Sequence, residues 1–163
     1  MYSLAVITVS DKCSKGLRED ASGALIVNFA KEYGFETIFT KIVPDEFFDI
    51  VTALNAAVDK QINLIITTGG TGFSPRDITP EATKAVIERE AMGIAEALRL
   101  NSAKYTVKAM LSRGVCGIKN SSIIVNLPGS PKAVRENIEF LLPNIGHGID
   151  ILIGVAAECG RKE

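Results

Sequence analysis

Two short apolar runs without a polar face constrain this chain more than any other feature. Leu4-Ala5-Val6-Ile7-Thr8-Val9 and Asn63-Leu64-Ile65-Ile66-Thr67 are rich in β-branched residues and do not alternate with polar ones. That is the pattern of strands covered on both faces, as in a sheet with helices above and below it. Each run ends abruptly in a polar or glycine-rich loop, Ser10-Asp11 after the first and Thr68-Gly69-Gly70-Thr71-Gly72 after the second.

The intervening stretches have helical spacing. Leu25, Ile26, Phe29, Ala30 and Tyr33 predict a helix from Ser22 that Gly34 stops, and Phe47, Ile50, Val51, Leu54 and Val58 predict another after Pro44. Glu36 to Val43 reads as a strand between them. After the glycine loop a helix is expected with Thr79 as N-cap and Pro80 at its first position. Met92 to Met110 reads as helix in two pieces, followed by strands over Val115 to Ile118 and Ser122 to Asn126. Two more helices are expected from Lys132 onward, one on Val134, Ile138, Leu141 and Leu142, the other on Ile145, Ile149, Leu152 and Ile153. Strands alternating with helices predict an α/β fold, a three-layer α/β/α arrangement with a mostly parallel central sheet. At 163 residues the chain is expected to form one domain, 1–163.

Composition narrows the partners. A net charge of -1 with 23% charged residues argues against a long nucleic-acid surface. No apolar run approaches the roughly 20 residues of a membrane span, and Met1 to Val9 lacks a basic leader, so the expected compartment is the cytoplasm. Cys13, Cys116 and Cys159 are odd in number and widely spaced, which fits free thiols rather than a zinc site or disulfides. His147 is expected as a partly buried helical residue.

In an open α/β sheet, ligands bind beyond the carboxyl ends of the strands. Ser10-Asp11, Pro44-Asp45, the Gly69 to Asp77 loop and Asn126-Leu127-Pro128-Gly129-Ser130-Pro131 all fall there, so one crevice could collect them. Three glycines in Gly69-Gly70-Thr71-Gly72 let backbone N–H groups approach an anion together, although a plain tight turn explains the tetrapeptide equally well. Arg76 could hold a phosphate or pair with Asp77, and Asp77 and Asp45 could each be helix-capping acids or ligands for Mg2+, which takes oxygen donors and bridges substrate phosphates. Ser112-Arg113 and the Asn126 to Lys132 segment, with Gly129 and Ser130, supply hydroxyl, amide and cationic groups suited to orienting a polar heterocycle and a phosphate.

Thr67-Thr68-Gly69-Gly70-Thr71-Gly72 followed by Arg76-Asp77-Ile78-Thr79-Pro80-Glu81-Ala82 resembles the molybdopterin adenylyltransferase family of MogA-like and MoaB-like proteins. The resemblance spans almost the whole chain, with Ser10-Asp11, Gly16, Glu19-Asp20, Pro44-Asp45-Glu46, Leu111-Ser112-Arg113 and Asn126 to Pro131 in family order. It implies a homo-oligomer, trimer or hexamer, and the reaction of molybdopterin with Mg2+ and ATP to give adenylyl-molybdopterin and pyrophosphate. It further implies Asp45 and Asp77 as the essential acids and metal contacts, with Asp77 the better candidate. Thr71, Ser102, Ser112 and Asn126 would lie on the pterin and phosphate side, and the Gly69, Gly70 and Gly72 backbone would hold phosphate. A molybdenum insertase is the partner that the resemblance suggests. The competing readings are a non-catalytic molybdopterin carrier or scaffold, an insertase domain, and the fold-related domain of competence-associated nucleotide hydrolases.

Overall fold

The computed structural model describes residues 1–155. Strand β1 (Tyr2–Val9) leads through a single helical turn, α1 (Asp11–Ser14), into α2 (Ala21–Glu32). Then come β2 (Phe35–Val43), α3 (Phe47–Asp59), β3 (Leu64–Thr68) and α4 (Thr79–Val86). The short β4 (Arg89–Glu90), α5 (Met92–Ala103) and a 3-10 helix (Val107–Leu111) precede β5 (Cys116–Lys119), β6 (Ser122–Leu127) and α6 (Pro131–Leu152).

The six strands form one sheet in the order β2-β1-β3-β6-β5-β4. The β2, β1, β3 and β6 pairings are parallel, while β5 and β4 add on antiparallel at one edge. The expected three-layer, mostly parallel arrangement is therefore present, and the apolar runs have the predicted cause. Leu4, Val6, Leu64, Ile66 and Val125 pack on one face against Ile26, Leu98, Ile138 and Leu142 from α2, α5 and α6. Ala5, Ile7, Ile65 and Ile124 pack on the other against Ile50, Leu54 and Ala82 from α3 and α4. Alternate residues of the same strand thus enter two different cores, and neither face can be polar.

Three local expectations are corrected. The C-terminal segment is one helix, not two, and continues through Pro143. The buried residues Val134, Ile138, Leu141, Leu142, Ile145 and Ile149 form a single unbroken stripe. Pro143 sits on the exposed side, and Asn144 donates its side-chain amide to the Phe140 carbonyl at 2.7 Å in the turn that the proline interrupts. Thr79 is the first residue of α4 rather than its N-cap, which is Ile78; its hydroxyl donates to the Gly69 carbonyl at 2.9 Å and so ties the helix to the glycine loop. His147 lies on α6 as expected but is exposed rather than partly buried. The two-residue β4 and the single turn α1 carry no periodic signal and were not anticipated by pattern.

Cys13 and Cys116 are free thiols, and burial pushes the Cys116 thiol up to about 12, which keeps it in the unreactive form. Cys159 lies outside the described residues. No helix among the described residues is long and apolar enough to cross a membrane.

Candidate active site

The carboxyl ends of β1, β2, β3 and β6 converge on a cavity of about 530 Å³. Ser10, Asp45, Gly69, Gly70, Asp77, Gly129 and Ser130 line it, so the four expected loops do meet there. A second cavity, of about 260 Å³, is lined by Thr71, Gly72, Ser102, Ser112 and Asn126. The candidate residues therefore divide between two chambers, with Gly69 and Gly70 on the larger and Thr71 and Gly72 on the smaller, rather than sharing one.

Neither acid caps the helix that follows it. The N-cap of α3 is Glu46 and that of α4 is Ile78, and neither cap makes a side-chain hydrogen bond. Asp45 Oδ2 instead accepts from the Asp11 N–H at 2.7 Å, and the Asp45 N–H donates to Asp11 Oδ1 at 3.1 Å. Asp77 Oδ2 accepts from the Ser74 N–H at 2.9 Å within its own loop. Burial raises the Asp45 carboxyl above its usual range, and the neighbouring Asp11 and Asp77 charges push it the same way. A raised carboxyl weakens the fold once ionised: the penalty is absent below the unfolded-state value and is complete above the raised folded-state value. Asp45→Asn is accordingly expected to melt higher than the wild type at neutral pH, with the difference vanishing as pH falls below the ordinary aspartate range. Thermal melts across pH check this, and an equal or lower melting temperature at pH 7 would refute it.

The glycine loop has a form that side chains would not permit. Gly69 has φ +102° and Gly70 φ +64°. A Cβ on Gly69 would stand 2.2 Å from the Val9 carbonyl oxygen, and one on Gly70 2.3 Å from Thr79 Oγ1 and 3.3 Å from Asp45 Oδ1. At Gly72 a Cβ would lie 2.8 Å from Asp77 Oδ2. The missing side chains thus bring the loop backbone alongside both carboxylates. Gly69 N–H donates to the Leu127 carbonyl, whereas among the described residues the N–H groups of Gly70, Thr71 and Gly72 donate to no protein acceptor. Consecutive amides left without a partner suit an anion. The loop is also held from β6, because Thr68 Oγ1 donates to the Pro128 carbonyl at 2.7 Å and Gly129 abuts Gly69.

Two carboxylate side chains beside these amides form an oxygen donor set that fits a hard divalent cation arriving with a polyphosphate. Among the described residues no cluster of three or more His, Cys, Asp or Glu side chains could hold a metal by itself. The fit is to a cation shared with substrate.

In the second chamber, two expected ligand residues are already engaged within the protein. Asn126 is buried, and its Nδ2 donates to Thr67 Oγ1 and Thr83 Oγ1 at 2.9 Å each, while its Oδ1 accepts from the Val115 N–H at 3.2 Å. Both amide hydrogens are spent, so Asn126 holds β6 to β3 and α4 beneath the chamber floor. Asn126→Ala is expected to cost about 2–3 kcal/mol, since two buried hydroxyls and a half-buried N–H lose their partner; urea denaturation with an unchanged slope and a lowered midpoint checks it. Ser102 exchanges hydrogen bonds with Asn137 across α5 and α6. Ser112 Oγ has one long contact, from the Gly114 N–H at 3.4 Å, and Thr71 lies buried in the wall between the chambers.

Arg113 and Arg76 are both engaged by the loops. Arg113 Nε donates to the Gly72 carbonyl at 2.7 Å, and its two terminal nitrogens donate to the Asp77 carbonyl and to Glu81 Oε1. It clamps the segment that carries Asp77. Arg76 does not pair with Asp77; it binds Asp11 and Glu46. The Arg113 clamp was missed because two of its three partners are backbone carbonyls, which carry no side-chain signal in a sequence, and the Arg76 pairs because Asp11 and Glu46 are remote from it in the chain.

Residues 5–147 match the sequence profile of a family described as a "probable molybdopterin binding domain". The chain is 42% identical over 162 residues to the molybdopterin adenylyltransferase of Helicobacter pylori, covering 98% of this chain and 92% of that one. It is 41% identical to gephyrin of Dictyostelium discoideum over 93% of its own length and 22% of gephyrin's. The crystal structure of the molybdopterin biosynthesis enzyme MoaB from Thermus thermophilus superposes with a TM-score of 0.89 at 41% identity, over 94% of this chain and 98% of that one.

Proposed function

The chain belongs to the molybdopterin-binding domain family, and from that premise we propose that it is a nucleotidyltransferase of molybdenum cofactor biosynthesis, transferring the adenylyl group of ATP to molybdopterin. The terminal phosphate oxygen of the pterin forms a bond to the α-phosphorus of ATP as the bond from that phosphorus to the pyrophosphate oxygen breaks, giving adenylyl-molybdopterin and pyrophosphate. One observation carries this reading. Two cavities are lined by successive residues of one glycine loop, Gly69 and Gly70 for the larger and Thr71 and Gly72 for the smaller, so two phosphate-bearing substrates can bring their phosphates to adjacent amides of the same loop.

The smaller chamber, with Thr71, Ser102 and Ser112, would take the pterin, and the larger one the nucleotide. Asn126 belongs to the pterin side as the residue that sets its floor. Gly70, Thr71 and Gly72 would orient the reacting phosphates through their backbone N–H groups, while Gly69, whose N–H is taken by the Leu127 carbonyl, would shape the turn instead of holding phosphate, with Gly129 and Ser130 closing the nucleotide side. Asp45 and Asp77 would hold a divalent cation, Mg2+ in this reading, which when bound offsets the charge of the polyphosphate during in-line attack. Their carboxylates without it would repel the anion that the amides attract. The same reading places the enzyme in the cytoplasm as a homo-oligomer, trimer or hexamer, that hands its product to a molybdenum insertase.

Incubation with molybdopterin, ATP and Mg2+, followed by separation of the products, tests the proposal. Adenylyl-molybdopterin and pyrophosphate are expected in equal amounts. Tight pterin binding with no product would establish a carrier instead.

A further inference from the structure

We propose that Arg76 is a positioning residue of the adenylyl-transfer site, which sets the Asp45 carboxylate against the loop of Asp77 by holding Asp11. The inference rests on the adenylyltransferase reading above. Arg76 precedes Asp77 in the chain, yet its side chain reaches across to the ends of β1 and β2. Its Nε donates to Asp11 Oδ2 at 3.1 Å and its Nη2 to Asp11 Oδ1 at 2.9 Å, a two-pronged contact, while Nη1 donates to Glu46 Oε1 at 2.8 Å. Asp11 is the residue that exchanges backbone-to-carboxylate hydrogen bonds with Asp45 in both directions. Three loops from three strands therefore converge on one guanidinium, and only Asp11 stands between it and Asp45.

Global stability does not explain this arrangement. Arg76 is about half exposed, with 51% of its side chain accessible, and solvent screens ion pairs in that setting so that they add little to stability. What a planar guanidinium supplies is direction: its fork admits one orientation of the opposing carboxylate. The orientation matters because Asp11, Asp45 and Glu46 bring like charges to the edge that Asp77 also shares, and they would spread apart if unopposed. A pair of metal-holding carboxylates loses affinity quickly when its supporting contacts are removed, typically 10–100-fold.

Arg76→Met and Arg76→Lys separate the two properties of the side chain. Mn2+ binding to the protein in the presence of ATP, without pterin, is followed by the loss of the free-ion electron paramagnetic resonance signal. Arg76→Met is expected to weaken it about tenfold. In turnover the same variant should need about tenfold more Mg2+ for half-maximal rate and show a lower kcat, with the KM for molybdopterin and the melting temperature close to wild type. Arg76→Lys, which keeps the charge and loses the fork, should move metal binding in the same direction.

Wild-type metal binding and kcat in Arg76→Met would overturn the inference. So would a parallel rise in the molybdopterin KM with a lowered melting temperature, which would mean general loosening. A wild-type protein that makes no adenylyl-molybdopterin would instead defeat the functional reading. The Mn2+ comparison would then still decide whether Arg76 positions the acids.

Discussion

Asp77→Asn is expected to lower kcat about a thousandfold while pterin binding stays near wild type. The substitution keeps the shape of the side chain. An amide oxygen can still accept from the Ser74 N–H, now held at 2.9 Å, and the crowded approach to Gly72 is unchanged in volume. The Arg113 clamp on this segment reaches the Asp77 carbonyl, not its carboxylate, so the loop stays anchored. What disappears is one negative charge lining the larger chamber, whereas Ser102 and Ser112 line the smaller one. An interaction that matters only as charge develops on the transferring phosphate shows in kcat rather than in the binding of the other substrate. Steady-state rates with both substrates varied, together with pterin binding by fluorescence, measure the two quantities. Full activity would remove Asp77 from the metal-holding pair.

Gly69→Ala should produce the largest loss of stability, about 3 kcal/mol or more. Two penalties coincide there. An L-residue at φ +102° is strained wherever it sits, and the new methyl would lie 2.2 Å from the carbonyl oxygen of Val9, the last residue of β1. A backbone carbonyl at a strand end cannot rotate away as a side chain would. Gly34→Ala supplies the control, because Gly34 also has positive φ, +79°, but a Cβ there meets nothing within 4 Å. It should cost only about 1 kcal/mol. Chemical denaturation of both variants separates strain from collision. Equal losses would mean that the close approach of the loop to β1 is immaterial.

The layers of this protein were legible because they depend on periodicity. Runs such as Leu4 to Val9 can be satisfied only between two apolar layers, and Ile50 and Leu54 or Ile138 and Leu142 announce helices that supply them. The same signal misled at the C-terminus, where two groups of apolar residues read as two helices although they form one stripe that runs on past Pro143. Propensity describes the proline; the buried face decides the helix. For the site, strand ends and glycines indicated which loops would meet. What they could not indicate was commitment. Asn126 carries the side chain of a ligand-binding residue, but Thr67, directly opposite on β3, and Thr83 on α4 occupy its donors. Arg76 has an acid as its chain neighbour and bonds to two others about 30 and 65 positions away. Such choices depend on three-dimensional reach, which a linear pattern does not contain.

The ladder β1-β3-β6 bears on how the protein comes into being. Its pairings join Leu4 to Leu64 and Leu64 to Ile123, so the middle of the sheet closes only over long separations in the chain. Such contacts carry a large loop-closure entropy before they return any burial, which favours folding in milliseconds to seconds over microseconds; stopped-flow circular dichroism would reveal it, and a microsecond phase recovering the full signal would contradict it. A chain emerging from the ribosome holds the glycine loop long before it holds Leu127, Pro128 and Gly129, the residues against which that loop is braced. Until β6 docks, the loop lacks these braces. The shape of the glycine loop is thus tied to completion of the sheet.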